Sequence, residues 1–345
     1  MKPKAKFALI GCGRISKNHL DAIDKAPHAK LVAVCDIVES KAKEIADKYG
    51  CNYYTDFEKM IDSEDIDVCS ILTPSGYHAE HGCAVAKHGV NVLCEKPIDM
   101  TRQKAEKLIE CSKENNVKLG CIFQRRTYDA AIKTKEAVEK GWLGKITLAD
   151  AYLKYYRDDE YYAADSWRGT LALDGGILMN QSVHGIDMIN WIMGGIESVN
   201  ADCRTYAWDI EAEDTAVIRV HYKTGAMGVI EGTTAAYPGL ETLFALHGTK
   251  GSVVFGDKGF YVWDLMDKSI PVPEVCNSMG GANCQYNETN YGHIYLVEDM
   301  AMSVLEDRQP MISGEEALKA VDIVQAAYKS SDEKREIKLT DQGGK

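Results

Sequence analysis

A glycine turn close to the amino terminus constrains this chain more than any other stretch: Phe7-Ala-Leu-Ile-Gly-Cys-Gly-Arg-Ile-Ser16, running on to His19. The apolar residues from Phe7 to Ile10 predict a buried strand, Gly11 and Gly13 a tight turn, and Arg14 onward a helix to about Lys25. Gly11 permits a backbone conformation that a side chain would obstruct, and Gly13 lets a pyrophosphate approach the main chain. The N–H groups at the helix start, around Arg14 and Ile15, carry the partial positive charge that holds an anion. Ser16 stands where Gly or Ala would complete the usual fingerprint. A second strand, Lys30 to Asp36, then ends on a carboxylate roughly twenty residues after the glycines, where it can accept hydrogen bonds from an adenosine ribose. Such a carboxylate repels a 2′-phosphate and favours NAD over NADP; Arg14, able to tolerate a phosphate, argues the other way.

Strand and helix patterns alternate from there to Gln124. Helices are expected at Ser40–Tyr49, Asp56–Ile61, Ala79–Lys87 and from Thr101, as a cap, to Glu114. Strands are expected at Ile66–Thr73, Val90–Cys94 and Lys118–Gln124. This is the pattern of a doubly wound parallel sheet of the Rossmann kind, an α/β domain over residues 1–124. A chain of 345 residues exceeds one ordinary core, so residues 125–345 are expected to form a second domain, its last helix packing back on the first.

The net charge of −12 argues against a nucleic-acid partner, and no apolar run is long enough to span a bilayer. The start, Met1-Lys-Pro-Lys-Ala-Lys6, leads into a strand without a signal-peptide pattern. The eleven cysteines are odd in number and form no Cys-x-x-Cys, and several lie in predicted strands. A reduced, cytoplasmic protein is expected.

Two loops at the carboxyl ends of strands stand out, Thr73-Pro74-Ser-Gly-Tyr-His78 and Glu95-Lys96-Pro97. A lysine leaving a buried strand at this edge is poorly solvated, so its ammonium needs a partner or its pKa falls toward a useful range. Pro97 biases Lys96 toward an extended backbone and aims its side chain.

In the second half, a helix is expected from Gln124 to about Gly141 and a long alternating strand from Ile146 to Tyr156. Shorter strands follow at Val199–Tyr206, Thr215–Tyr222, Ala226–Thr234, Glu241–His247 and Gly251–Phe255, with turns between them that suggest antiparallel pairing. Helical spacing from about Ile177 to Met193 places Asn180, His184 and Asp187 on one face. Tyr155, Arg157, Trp167 and Arg168 combine aromatic faces suited to pyranose rings with guanidinium groups suited to carboxylate or phosphate. The segment Pro271–Asn290 reads as a flap over a substrate, followed by a helix carrying His293. No metal is expected, since neither His78 with His81 nor His184 with Asp187 has a convincing third ligand.

Together, Gly11-Cys-Gly-Arg-Ile-Ser with His19, Asp36, Thr73-Pro74, His78 and Glu95-Lys96-Pro97 resemble the Gfo/Idh/MocA family, named for glucose–fructose oxidoreductase and inositol dehydrogenase. The resemblance covers essentially the whole chain, and Gly141-Trp-Leu-Gly-Lys-Ile146 matches the family's domain junction. It implies that the nicotinamide-binding domain is followed by an α+β domain with a large, mostly antiparallel open sheet. It also implies an NAD(P)-dependent dehydrogenase transferring a hydride between a sugar, polyol or nucleotide-sugar carbinol and nicotinamide. It implies cofactor contacts at Gly11, Gly13, Arg14, Ile15, Asp36, Thr73, Pro74, His78, Glu95, Lys96, Gln124, Trp167 and Arg168. Lys96 and His184 are the implied catalytic residues. Substrate contacts are expected at Lys96, Tyr155, Arg157, Arg168, Asn180, Gln181, His184 and His293.

The family pattern Asp-x-Gly-x-His-x-x-Asp appears here with Asn180 and Ser182 in place of the first Asp and the Gly. Asn cannot ionise, so either Lys96 or a differently oriented His184 is the base. Asn180-Gln181 resembles the branch acting on nucleotide sugars, including UDP-linked aminosugar uronates oxidised at C3. A homodimer or homotetramer is implied, because relatives often cover the broad sheet with a second subunit. Two other readings stand beside this one: an NAD-dependent glycoside hydrolase using transient C3 oxidation, and a non-catalytic NAD-binding regulator.

Overall fold

Phe7, Ala8, Leu9 and Ile10 are all buried, as the innermost strand of a sheet covered on both faces requires. The computed structural model describes residues 3–275 and 290–339. They form two units, residues 3–124 with 290–318 and residues 125–275 with 319–339. In the first unit the chain runs β1 (Ala5–Ile10), α1 (Ser16–Lys25), β2 (Ala29–Cys35), α2 (Glu39–Tyr49), β3 (Asn52–Tyr54), α3 (Phe57–Ser63) and β4 (Val68–Ile71). It continues through α4 (His78–Lys87), β5 (Asn91–Cys94), α5 (Arg102–Glu114) and β6 (Leu119–Cys121). Asp56 and Thr101 accept backbone N–H groups at the starts of α3 and α5 and so fix where those helices begin.

The six strands are parallel in the order β3-β2-β1-β4-β5-β6, the doubly wound arrangement. Its strand order reverses between β1 and β4, and the loops after β1, β2, β4 and β5 all leave the same edge. Strand β3 escaped the sequence pattern because it is a short edge strand, exposed or half-buried throughout.

In the second unit, Gln124–Thr127 is a short 3₁₀ turn and α6 covers only Asp129–Glu139, not one helix from Gln124 to Gly141. The break follows from Arg125 and Arg126, which turn inward to the carboxylates of half-buried Asp257 and buried Asp187 instead of facing solvent. Then come β7 (Ile146–Lys154), α7 (Asp159–Ala163), α8 (Val183–Ile192), β8 (Ile196–Arg204), β9 (Thr215–Tyr222) and β10 (Met227–Thr233). The meander closes with β11 (Leu243–Gly248), β12 (Gly251–Gly256) and β13 (Gly259–Leu265). Helix α9 (Tyr291–Leu305) belongs to the first unit, α10 (Gly314–Glu333) runs from the first into the second, and β14 (Ile337–Lys338) ends the described chain.

The second sheet has the order β13-β12-β11-β7-β10-β9-β8-β14, and every pairing except β7 with β10 is antiparallel. One face packs inward through residues such as Ile218, Val220 and Ile230, with α8 lying on β7. The other leaves Leu148, Val217 and Met227 exposed. Strands β13 and β14 were not expected from the sequence; β14 is only two residues long, whereas the apolar run after Gly259 was a strand signal. The expected flap falls largely on 276–289, outside the described residues.

Candidate active site

At the edge of the parallel sheet, Gly11 takes φ +104°, and a Cβ there would lie 2.7 Å from Leu72 O, so only glycine lets the turn pass under the β4 loop. Gly13 is the opposite case: an added Cβ meets nothing within 4 Å, leaving the main chain open to a ligand. Ser16, the off-pattern residue, is buried and donates its hydroxyl to Gly13 O at 2.7 Å, which satisfies it while bracing the turn. Asp36 ties the turn to β2 by accepting Cys12 N–H and Val38 N–H, each at 2.8 Å. Each carboxylate oxygen keeps a second lone pair for a ribose hydroxyl. No side chain caps α1, which follows directly on this turn, while Arg14 is exposed and Ile15 is its N-terminal flanking residue. A cradle of this shape fits an adenine dinucleotide.

His78 is fully buried, with its ring nitrogens 2.7 Å from Pro97 O and 2.8 Å from Thr73 O. It straps the Thr73-Pro74 loop to the Glu95-Lys96-Pro97 turn, in which the Lys96–Pro97 peptide is cis. Its partner in the sequence, His81, lies 3.0 Å from Thr73 Oγ1. Among the described residues, neither imidazole belongs to a group of three side chains able to hold a metal ion.

The Glu95 carboxyl points into the unit and is 4% exposed. Its Oε1 is 2.9 Å from His19 Nε2 and 3.5 Å from His293 Nε2, and its Oε2 accepts the Lys96 N–H at 3.1 Å. Burial pushes the Glu95 pKa up, but the two imidazoles outweigh it and hold the carboxyl well below the usual range. Burial pushes the His19 imidazole down from its ordinary value, against the pull of Glu95. His293, expected among the substrate contacts, sits behind Glu95 at 4% exposure. Gln124 is half-buried at the end of the contiguous part of this unit.

In the second unit, α8 starts only at Val183, so His184 and Asp187 share a helix while Asn180 lies in the turn before it. The turn is set by its own backbone, Asn180 N–H to Gly176 O at 3.0 Å and Ser182 N–H to Ile177 O at 2.7 Å. Asp187 is engaged bidentately by Arg126 at 2.6 and 2.8 Å, which accounts for its place on an apolar helix. His184 is half-buried one turn earlier.

Tyr161 is the hub of the polar cluster. Arg168 lies 4.4 Å and Arg157 5.2 Å from its ring centroid, and Arg168 also lies 4.6 Å from Trp167. Its hydroxyl meets the amide nitrogens of Gln181 at 3.2 Å and Asn180 at 3.4 Å. Asp174 accepts from Asn180 Nδ2 and Gly169 N–H, fixing the loop between them. Tyr155 stands apart, its hydroxyl 3.4 Å from Thr242 Oγ1. Tyr161 is a site residue that the sequence pattern did not single out; its pairing with Gln181, twenty residues away, is a product of the fold.

Beneath this loop, Glu213 accepts Leu178 N–H at 2.8 Å and the Tyr328 hydroxyl at 3.1 Å. Gly176 passes so close that a Cβ would lie 2.1 Å from Glu213 O. Burial pushes the Glu213 pKa up to about 7. A carboxyl raised in the fold favours the native state while protonated, and that contribution is lost as pH climbs from about 4.5 through 7. Glu213→Gln should therefore match the native protein in thermal melts near pH 4.5 and exceed it above pH 8, by a few kcal/mol. Identical melting curves at both pH values would show that Glu213 is not strained by its charge.

Two family models match the chain: "Oxidoreductase family, NAD-binding Rossmann fold" over residues 5–123 and "GFO/IDH/MocA C-terminal domain" over residues 132–254. Myo-inositol 2-dehydrogenase of Thermotoga maritima is 29% identical, covering 97% of this chain and 98% of its own. Levoglucosan dehydrogenase of Pseudarthrobacter phenanthrenivorans is 28% identical over 72% of each chain. The solved structure of the WlbA dehydrogenase from Bordetella pertussis, in complex with NADH and UDP-GlcNAcA, is 30% identical, covers 98% of each chain and superposes with a TM-score of 0.88. With its glycine turn, its doubly wound sheet and its second, mostly antiparallel sheet, the chain belongs to the Gfo/Idh/MocA family of oxidoreductases and carries that family's NAD-binding Rossmann domain.

Proposed function

We propose that this NAD-dependent dehydrogenase oxidises a ring hydroxyl of a nucleotide sugar that carries a carboxylate, a UDP-linked aminosugar uronate oxidised at C3. The observation that carries this reading is the pair of guanidinium groups, Arg157 and Arg168, stacked on Tyr161 beside the Asn180 and Gln181 amides. An inositol offers no anion to justify two arginines so arranged, whereas a uronate or a diphosphate does. The full-length similarity to a WlbA dehydrogenase solved with UDP-GlcNAcA supports the same substrate class.

When bound, NAD supplies the hydride acceptor. The glycine turn and Asp36 hold it, with Thr73, Pro74 and the backbone around Glu95 proposed to complete the site. Lys96, in its neutral form, accepts the proton of the sugar hydroxyl and then steadies the developing negative charge; His184 is the alternative proton acceptor. Asn180 and Gln181 orient the sugar, and Trp167, Arg168, Tyr155 and Arg157 are proposed to hold its ring and anionic groups. The exposed sheet face around Leu148, Val217 and Met227 supports a homo-oligomer. No described helix is long and apolar enough to cross a membrane.

NADH formation should be followed with myo-inositol, levoglucosan, UDP-GlcNAc and its C6 uronate. The uronate is expected to exceed its uncharged counterpart in kcat/KM by roughly 10- to 100-fold, the worth of a charge-assisted contact, and Arg168→Ala should erase most of that margin. A higher kcat/KM for myo-inositol than for any UDP-sugar would replace the nucleotide-sugar reading with the polyol one.

A further inference from the structure

The Glu95 carboxylate is buried with His19 on α1 and His293 on α9 as its side-chain partners, and its second oxygen holds the Lys96 amide. Burying a carboxylate away from water is unfavourable by several kcal/mol unless its lone pairs are met, so a strand end that needed only packing would carry an apolar residue. Nothing in the dinucleotide cradle calls for an imidazole from α9. That helix is nonetheless held firmly to α1: Asn290 donates to Asn18 O at 2.6 Å and to Asp21 Oδ2 at 3.0 Å, and Glu298 accepts His28 N–H at 3.0 Å. The His293 ring meets His19 edge-on with centroids 5.6 Å apart. The polar atom nearest His293 Nε2 among these groups is Glu95 Oε1.

We infer that His293 is a positioning residue for Lys96, acting through Glu95: with His19 it fixes the carboxylate that in turn fixes the lysine's backbone. The inference rests on the reading of Lys96 as the proton-handling group. The same three side chains have their donor atoms within 4.8 Å of one another, a grouping that invites a metal. The 2.9 Å separation of His19 Nε2 and Glu95 Oε1 is that of a hydrogen bond, shorter than the ~3.3 Å between donors sharing a tetrahedral ion at ~2.0 Å.

The test compares His293→Gln, whose amide nitrogen reaches about as far as Nε2, with His293→Asn, one methylene shorter. Steady-state kinetics are run with NAD and the best substrate of the panel above, alongside Lys96→Ala, a thermal melt and the metal content of the purified protein. His293→Asn should lose ~10-fold or more in kcat, a loss typical of a displaced catalytic group, with KM for both substrates little changed. His293→Gln should recover kcat to within ~3-fold, as restoring the polar contact with Glu95 implies. A native kcat in His293→Asn overturns the inference. So does equal slowness of the two variants, a loss confined to KM, or one equivalent of bound metal. If Lys96→Ala turns over normally, the lysine reading itself has failed; if it is inactive while His293→Asn is native, only the present inference has.

Discussion

Lys96→Ala is expected to lower kcat by ~10²-fold or more while the affinity for NAD stays near native, since one acid–base group is worth about that much and the cradle is elsewhere. The separation of the two effects follows from the geometry. The proposed dinucleotide cradle comprises the turn at Gly11 to Ser16 and Asp36, whereas Lys96 lies in the turn after β5, whose backbone is held by Glu95 and His78. Removing the amine leaves those backbone contacts in place. Fluorescence titration with NADH reads binding, and single-turnover NADH formation reads chemistry. Turnover within a few-fold of native would transfer the role of base to His184.

The largest effect on stability is expected at Asp187. Its carboxylate is 1% exposed and bound at both oxygens by Arg126, whose guanidinium also lies 5.6 Å from the centroid of Trp191. Asp187→Ala leaves a buried guanidinium without its counter-charge, a loss of about 3–5 kcal/mol. Replacing the pair together, Arg126→Met with Asp187→Leu, should recover most of it, because an apolar pair of similar volume removes the need for charge. Chemical denaturation of the three variants decides the matter. If the double variant is no more stable than Asp187→Ala, the pair contributes more than mutual neutralisation.

Asp187 also shows what a sequence can and cannot convey about such a site. A carboxylate on an apolar helix needs a partner, but nothing in the pattern pointed to Arg126, sixty-one positions earlier. The glycine turn, Asp36 and the alternation of strands and helices were legible because each is a local device: a turn needing glycine, a strand end, a repeating period. The contacts that give the site its character are not local. His19 meets Glu95 across seventy-six residues and Leu178 meets Glu213 across thirty-five. Helical spacing also overran its evidence at Asn180, because the backbone turns back on itself at Gly176 before the helix begins.

Helix α9 has one more consequence. Leu296, Val297, Met300 and Ala301 on it are buried, and it packs on α1 and β1, although residues 125–290 separate it from the end of the contiguous part of that unit. A piece cut after Gln124 would therefore bare a strip of greasy surface, and a chimera that trades only the leading segment with a relative would inherit a mismatched lid. In any exchange of parts, the front of the chain and residues 290–318 must travel as one cassette.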